Sequence, residues 1–65
     1  MKTVYFESYY KYVFTFKDKE GSVYEVGGDT GDIYRFSVSK ENALEEVDGK
    51  FFIDGYEAIK YPNSL

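Results

Sequence analysis

Carboxylates are the groups in this chain whose spacing could do chemistry. Glu45 and Glu46 are adjacent, and Asp29 and Asp32 lie close in sequence. Paired carboxylates can exchange a proton when burial or mutual repulsion pushes one of them up in pKa. That role needs a pocket that excludes water, and 65 residues seldom enclose one. The chain has no histidine and no cysteine, which removes the commonest proton shuttle, any thiol nucleophile and the usual zinc ligands. A serine or threonine nucleophile would need a lysine base, and no spacing suggests one. The expectation is a non-catalytic protein that uses no cofactor.

The run Gly27-Gly28-Asp29-Thr30-Gly31-Asp32 is glycine- and aspartate-rich. It lacks the Gly-Lys-Ser/Thr ending and the following helix of a phosphate loop. It also lacks the ligand spacing and distal glutamate of an EF-hand. Weak calcium binding through Asp29, Asp32 and Glu25 is conceivable on ligand type, but a solvated connection between strands uses the same residues. No metal is expected.

A second carboxylate group is denser. Glu41, Glu45, Glu46 and Asp48 fall within eight residues, with Asp54 and Glu57 close behind. The whole chain carries 8 basic and 12 acidic side chains, a net charge of −4. The imbalance sits in residues 25–65, where four cations face nine carboxylates. An acidic domain repels phosphate backbones, so nucleic acid is disfavoured and a protein with a basic surface is the partner to expect. Such a cluster can imitate nucleic-acid phosphates toward nucleic-acid-processing machinery. A compact inhibitor or adaptor of phage or mobile-element type fits that description, acting in the host cytoplasm. The plainer reading is a solubilising face.

The stretch Tyr5-Phe6-Glu7-Ser8-Tyr9-Tyr10-Lys11-Tyr12-Val13-Phe14-Thr15-Phe16 raises the other surface question. With no disulfide or zinc to help, a chain this short needs large apolar side chains for its core. Phe6, Tyr12, Phe14, Phe16, Tyr24, Tyr34, Phe36, Val38 and Phe51 share a phase and form the expected interior. Tyr5, Tyr9, Phe52 and Tyr61 fall in the opposite parity, and Tyr10 sits by a bend. Tyrosine tolerates a half-wet position and is enriched at interfaces. Tyr5, Tyr9 and Tyr10 therefore join Glu41, Glu45, Glu46, Asp48, Asp54 and Glu57 as candidate partner-binding residues. A homodimer could cover the same patch. Tyr9, Tyr10 and Tyr12 with Lys11, Lys17 and Lys19 would alternatively make a small stacking platform for single-stranded nucleic acid.

The elements follow from periodicity. Residues 4–17 alternate as a strand that is long for a single one, so it bends near Ser8 or divides at Ser8-Tyr9. Asp18-Lys19-Glu20-Gly21 reads as a three-residue hairpin loop with a glycine bulge. That register sets Phe16 opposite Tyr24, Phe14 opposite Val26 and Thr15 opposite Glu25. Residues 33–39 alternate again. Residues 39–49 suggest a two-turn helix capped by Ser39 and ended by Gly49, with a short strand as the alternative. Asp54-Gly55 is a preferred two-residue turn. It would put Phe51, Ile53, Tyr56 and Ala58 on one face and Phe52, Glu57 and Ile59 on the other.

The expected class is α+β and β-dominated: a five- to six-stranded antiparallel sheet or partly open small barrel with one short helix. The order β-β-β-α-β-β resembles the oligonucleotide-binding (OB) barrel in its sequence of elements. An all-β SH3-like barrel is the alternative. Residues 1–65 are expected to form a single domain with 61–65 as a frayed tail. No signal peptide is expected, because Met1-Lys2 is not followed by an apolar core of the right length, and no apolar run is long enough to span a membrane. A cytoplasmic protein without membrane contact is the expectation.

Overall fold

The computed structural model describes residues 1–27 and 41–61. Six strands run through them: β1 Lys2–Tyr10, β2 Val13–Lys17, β3 Val23–Gly27, β4 Glu41–Val47, β5 Lys50–Ile53 and β6 Tyr56–Tyr61. They close into a barrel in the order β1-β2-β3-β6-β5-β4, with antiparallel pairing throughout. Two three-stranded meanders, β1-β2-β3 and β4-β5-β6, are thus joined by pairing β3 with β6 and β1 with β4. Closure pairs each of the six described strands on both sides, so none of them presents a free edge to another chain. The small, antiparallel, β-dominated barrel agrees with the sequence. The α+β class does not, because the described residues contain no helix.

The expected helix is the main correction. Glu41–Val47 is a strand, paired to β1 through Val4↔Asn42 and to β5 through Leu44↔Ile53. Asn42 and Leu44 are buried, whereas Glu41, Glu45 and Val47 are exposed. This is a period-two pattern that a two-turn helix cannot use. Helix propensity in so short a stretch is worth a few tenths of a kcal/mol per residue. Pairing on both sides outweighs it by closing the barrel. Gly49 is not a helix cap. It is the second residue of an Asp48-Gly49 turn, with φ of 52° and 80°.

The first fourteen strand-like residues form two strands, and the division is not at Ser8-Tyr9. β1 and β2 meet at a two-residue turn, Lys11-Tyr12, closed by Tyr10↔Val13. The register of this pair slips between Phe6 and Ser8, a β-bulge that adds one residue to β1. The extra residue reverses the phase. Phe6 pairs with Phe16, and beyond the bulge Tyr9 pairs with the fully buried Phe14. Tyr9 is therefore brought to the inner face, while Tyr12, expected in the core, is 56% exposed at the turn.

The two other turns read from sequence are present. Asp18 N–H donates to Ser22 O, Gly21 N–H donates to Asp18 O, and Gly21 has φ of 91°. This is a three-residue loop with a glycine bulge, and Phe16↔Tyr24, Phe14↔Val26 and Thr15↔Glu25 are the pairs it sets. Asp54-Gly55 joins β5 to β6 with Ile53↔Tyr56 and Phe51↔Ala58 in register. Tyr61 closes β6 against Val23, so it does not belong to a tail. Residues 62–65, like the strand expected over 33–39 and the core residues Tyr34, Phe36 and Val38, lie outside the described residues.

The interior is filled by Val4, Phe14, Phe16, Tyr24, Val26, Leu44, Ile53 and Ala58, with Phe6, Tyr9, Phe51 and Tyr56 packed against them. Rings interlock inside it: Phe6 meets Phe16 edge-on at 5.6 Å, and Tyr24 meets Phe51 at 5.7 Å. Tyr24 brings a hydroxyl into this interior and needs a partner for it. It donates to Asp18 Oδ2 at 3.0 Å. Asp18 Oδ1 accepts from the amides of Glu20 and Ser22 at 2.9 and 3.0 Å, and Lys2 Nζ stands 3.7 Å from Oδ2. The carboxylate that shapes the β2–β3 turn also satisfies the barrel's buried hydroxyl.

Burial pushes the Asp18 carboxyl up, but the Ser22 amide, the Tyr24 hydroxyl, the Glu20 amide and Lys2 together hold it below the ordinary aspartate value. Burial, then the bond to Asp18, pushes the Tyr24 phenol up to about 12. A depressed carboxyl contributes stability above its unfolded pKa and loses it as pH falls through the folded value. A raised phenol contributes stability below its ordinary value of 10.0 and loses it as pH rises from there toward about 12. Chemical denaturation across pH should therefore give a plateau at neutral pH that falls below about pH 4 and again above about pH 10. In Tyr24→Phe the alkaline fall should shrink. That variant should also lose about 1–3 kcal/mol at neutral pH, because a buried carboxylate oxygen loses its donor.

The Lys11-Tyr12 turn generates a second prediction. Its residues adopt φ of 50° and 67°, a conformation that costs most side chains roughly 1–2 kcal/mol each and that Asn and Gly accept readily. The other two-residue turns use Asp-Gly at the same positions. Replacing the pair by Lys11→Asn and Tyr12→Gly should stabilise the barrel by about 1 kcal/mol after the lost Tyr9–Tyr12 ring contact is counted. Thermal unfolding should move up by about 4–8 °C. A lower midpoint would show that the tip is not strained.

Candidate partner-binding surface

Cross-strand register decides which side chains meet outside the barrel. On the outer face, Glu45 of β4 lies directly opposite Phe52 of β5, and Phe52 directly opposite Glu57 of β6. The backbones of the two glutamates are two strand spacings apart, about 9–10 Å, with the half-buried Phe52 on the strand between them. Toward the end of the barrel where β4 stops and β6 finishes, Val47 is 52% exposed, Ile59 60% and Tyr61 42%. Glu25 of β3 pairs with Ile59 and extends the acidic rim. Lys50, opposite Val47, supplies a cation. The wall formed by β4, β5 and β6 is thus apolar at its centre and mostly acidic around it.

Glu41 belongs to the same outer face of β4 at the other end, where Tyr5 is its partner on β1. Tyr5 is half-buried and is also paired with Lys17 of β2, giving a Lys17–Tyr5–Glu41 row. The remaining expected site residues are not brought to this wall. Glu46 pairs with Phe51 and takes the inner-face parity at the mouth of the barrel. Asp48 sits in the β4–β5 turn. Asp54 is half-buried and structural: its amide donates to Ala43 O at 2.9 Å and its Oδ1 accepts from Ala43 N–H at 3.0 Å. Tyr9 faces inward, 5.2 Å from Phe14.

Tyr10 is 70% exposed at the β1–β2 tip, with Lys11 Nζ 5.2 Å over its ring. With Tyr12 it makes a protruding aromatic and cationic tip. β2 lies three places from β5 around the six-strand circuit, so the outer faces of these two strands point to opposite sides of the barrel, while β1 adjoins the wall through β4.

Val47 and Ile59 are the wall residues the acidic cluster did not announce. Ile59 was legible from the Asp54-Gly55 register, whereas Val47 carried a helix pattern that hid its direction. No cluster of metal-ligating side chains occurs among the described residues. Glu25 is on the outer face of β3, and Asp29 and Asp32 lie outside the described residues. Among the described residues no helix is long and apolar enough to cross a membrane.

Comparison with protein-family models, with curated proteins and with solved structures returns no match for this chain.

Proposed function

We propose that this chain is a small non-catalytic protein-binding barrel. The outer wall of β4, β5 and β6 captures a partner that presents basic and apolar side chains together. The observation that carries this reading is the Glu45–Phe52–Glu57 row with Val47 and Ile59 exposed beside it. Exposed large apolar side chains cost solubility and are worth keeping where they are covered by a partner. Carboxylates at the rim select a basic partner and speed its encounter, while the ring at the centre supplies contact area. A compact inhibitor or adaptor directed at nucleic-acid-processing proteins, of phage or mobile-element type, is the role that suits such a wall.

The double reversal Glu45→Lys, Glu57→Lys tests it. Both side chains are exposed, and neither has an ion pair among the described residues, so the fold should survive with an unchanged far-UV spectrum. Protein captured from the source cell by the wild-type chain should be lost by the variant, and Phe52→Ser should weaken capture with the rim charges intact. Equal capture by wild type and the double reversal would remove this wall from the account.

A second reading rests on the β1–β2 hairpin. Tyr10, Lys11 and Tyr12 at the hairpin tip, with Lys17 on the outer face of β2, suit stacking of unpaired bases. Titration with short labelled oligonucleotides across salt concentrations separates the two. Saturable binding that weakens steeply with salt and disappears in Lys11→Asn, Tyr12→Gly would favour it.

A further inference from the structure

Three charged residues take inner-face parity at one end of the barrel, where all three remain exposed at its mouth. Lys2 lies directly opposite Leu44, Glu46 opposite Phe51 and Lys60 opposite Tyr24. With those three partners and the exposed Met1 they line a cavity of about 440 Å³. Residues placed against the local pattern are where function is to be sought, and the mouth of a barrel is a common ligand site.

The three charges are not equivalent. Lys2 is committed, with its Nζ 3.1 Å from Glu20 Oε1 and 3.7 Å from the buried Asp18 Oδ2. Lys60 Nζ lies 5.5 Å over the Phe51 ring and 6.0 Å over Tyr24, and it makes no ion pair among the described residues. An ammonium held over two rings is oriented but not neutralised. Glu46 lies directly opposite Phe51 across the β4–β5 pair and lines the same cavity. A ligand carboxylate can reach Lys60 while its body lies against Phe51 and Leu44. A second negative charge would meet Glu46.

From this arrangement we propose that the barrel mouth binds a monoanionic carboxylate attached to an aromatic body, with Lys60 as the anchor. A free aromatic acid and a peptide ending in an aromatic residue share that chemistry. The site uses inner-face side chains and stands apart from the outer wall, so either can fail without the other.

Amide chemical shifts of the wild-type chain, followed on titration, test the proposal with five probes. These are phenylacetate, benzyl alcohol, phenyl phosphate and a hexapeptide ending in phenylalanine, with its C-terminus free or amidated. Phenylacetate or the free-acid peptide should give saturable shifts at residues 44, 46, 51 and 60. The neutral alcohol, the amidated peptide and the dianion should not. Tighter binding of the free-acid peptide than of phenylacetate assigns the source to a chain terminus, and the reverse order assigns it to a free acid. Lys60→Gln should bind about tenfold more weakly or worse with its spectrum still dispersed, and Lys60→Arg should restore binding. Glu46→Gln should admit phenyl phosphate. The proposal is overturned if neither carboxylate saturates at millimolar concentration. It fails equally if benzyl alcohol binds as well as phenylacetate, or if Lys60→Gln binds undiminished.

Discussion

The constraint on which the rest depends is the two-sidedness of a closed sheet. Every residue of a paired strand faces either the interior or the solvent, and a one-residue slip exchanges the two sets. A six-strand barrel has an interior that side chains alone fill, so the inner set through its middle must be mostly large and apolar. Phe14, Phe16 and Tyr24 meet that need, with exposures of 0%, 0% and 1%. The bulge in β1 is where the alternation is reset. It keeps Phe6 inside and brings Tyr9 inside as well, at the expense of presenting Tyr10 to solvent. The aromatic tip is thus a by-product of filling the core, and its exposure alone says little about purpose. Its backbone says more, because Lys-Tyr stands where this chain elsewhere uses Asp-Gly.

Much of the hairpin architecture was legible because its turns carry their own chemistry. Asp18 to Gly21 and Asp54-Gly55 combine turn residues with the hydrophobic phase on each side, and both registers follow. Asp48-Gly49 carries the same signal as Asp54-Gly55. It was outweighed by a serine at a capping position and by glutamates and leucine at helical spacing. Those features favour a helix only when a segment is free to choose, and β4 is held between β1 and β5. The Lys11-Tyr12 turn and the bulge were illegible for the opposite reason. Neither contains a glycine, proline, asparagine or aspartate, so nothing local marks them, and only the packing of Tyr9 on Phe14 shows why they exist.

The candidate surface was legible only in part, and the reason is geometric. Carboxylates close in sequence look like one cluster, but on a strand they divide between faces. Glu45 goes out and Glu46 goes in, while Asp48 and Asp54 serve turns. What assembles the outer wall is cross-strand neighbourhood, which brings Glu57 to Phe52 and Phe52 to Glu45 across two hairpins. That grouping exists only after the register of β4 is known, and the helix reading had removed it.

The same alternation lets two kinds of site share strands without sharing residues. On β4 the neighbours Glu45 and Glu46 face the wall and the mouth, and on β6 Ile59 and Lys60 do the same. Glu45 is screened from Lys60 by the sheet and by solvent at both faces. The two side chains are two strands apart and on opposite faces, a separation beyond the Debye length of about 8 Å at physiological salt. Charge on the wall is therefore felt only weakly at the mouth. Mechanical coupling is limited as well, because every strand is hydrogen-bonded on both sides and the interlocked rings leave the interior little room to rearrange. The closure that makes so short a chain foldable is also what keeps the outer and inner faces of its six strands chemically separate.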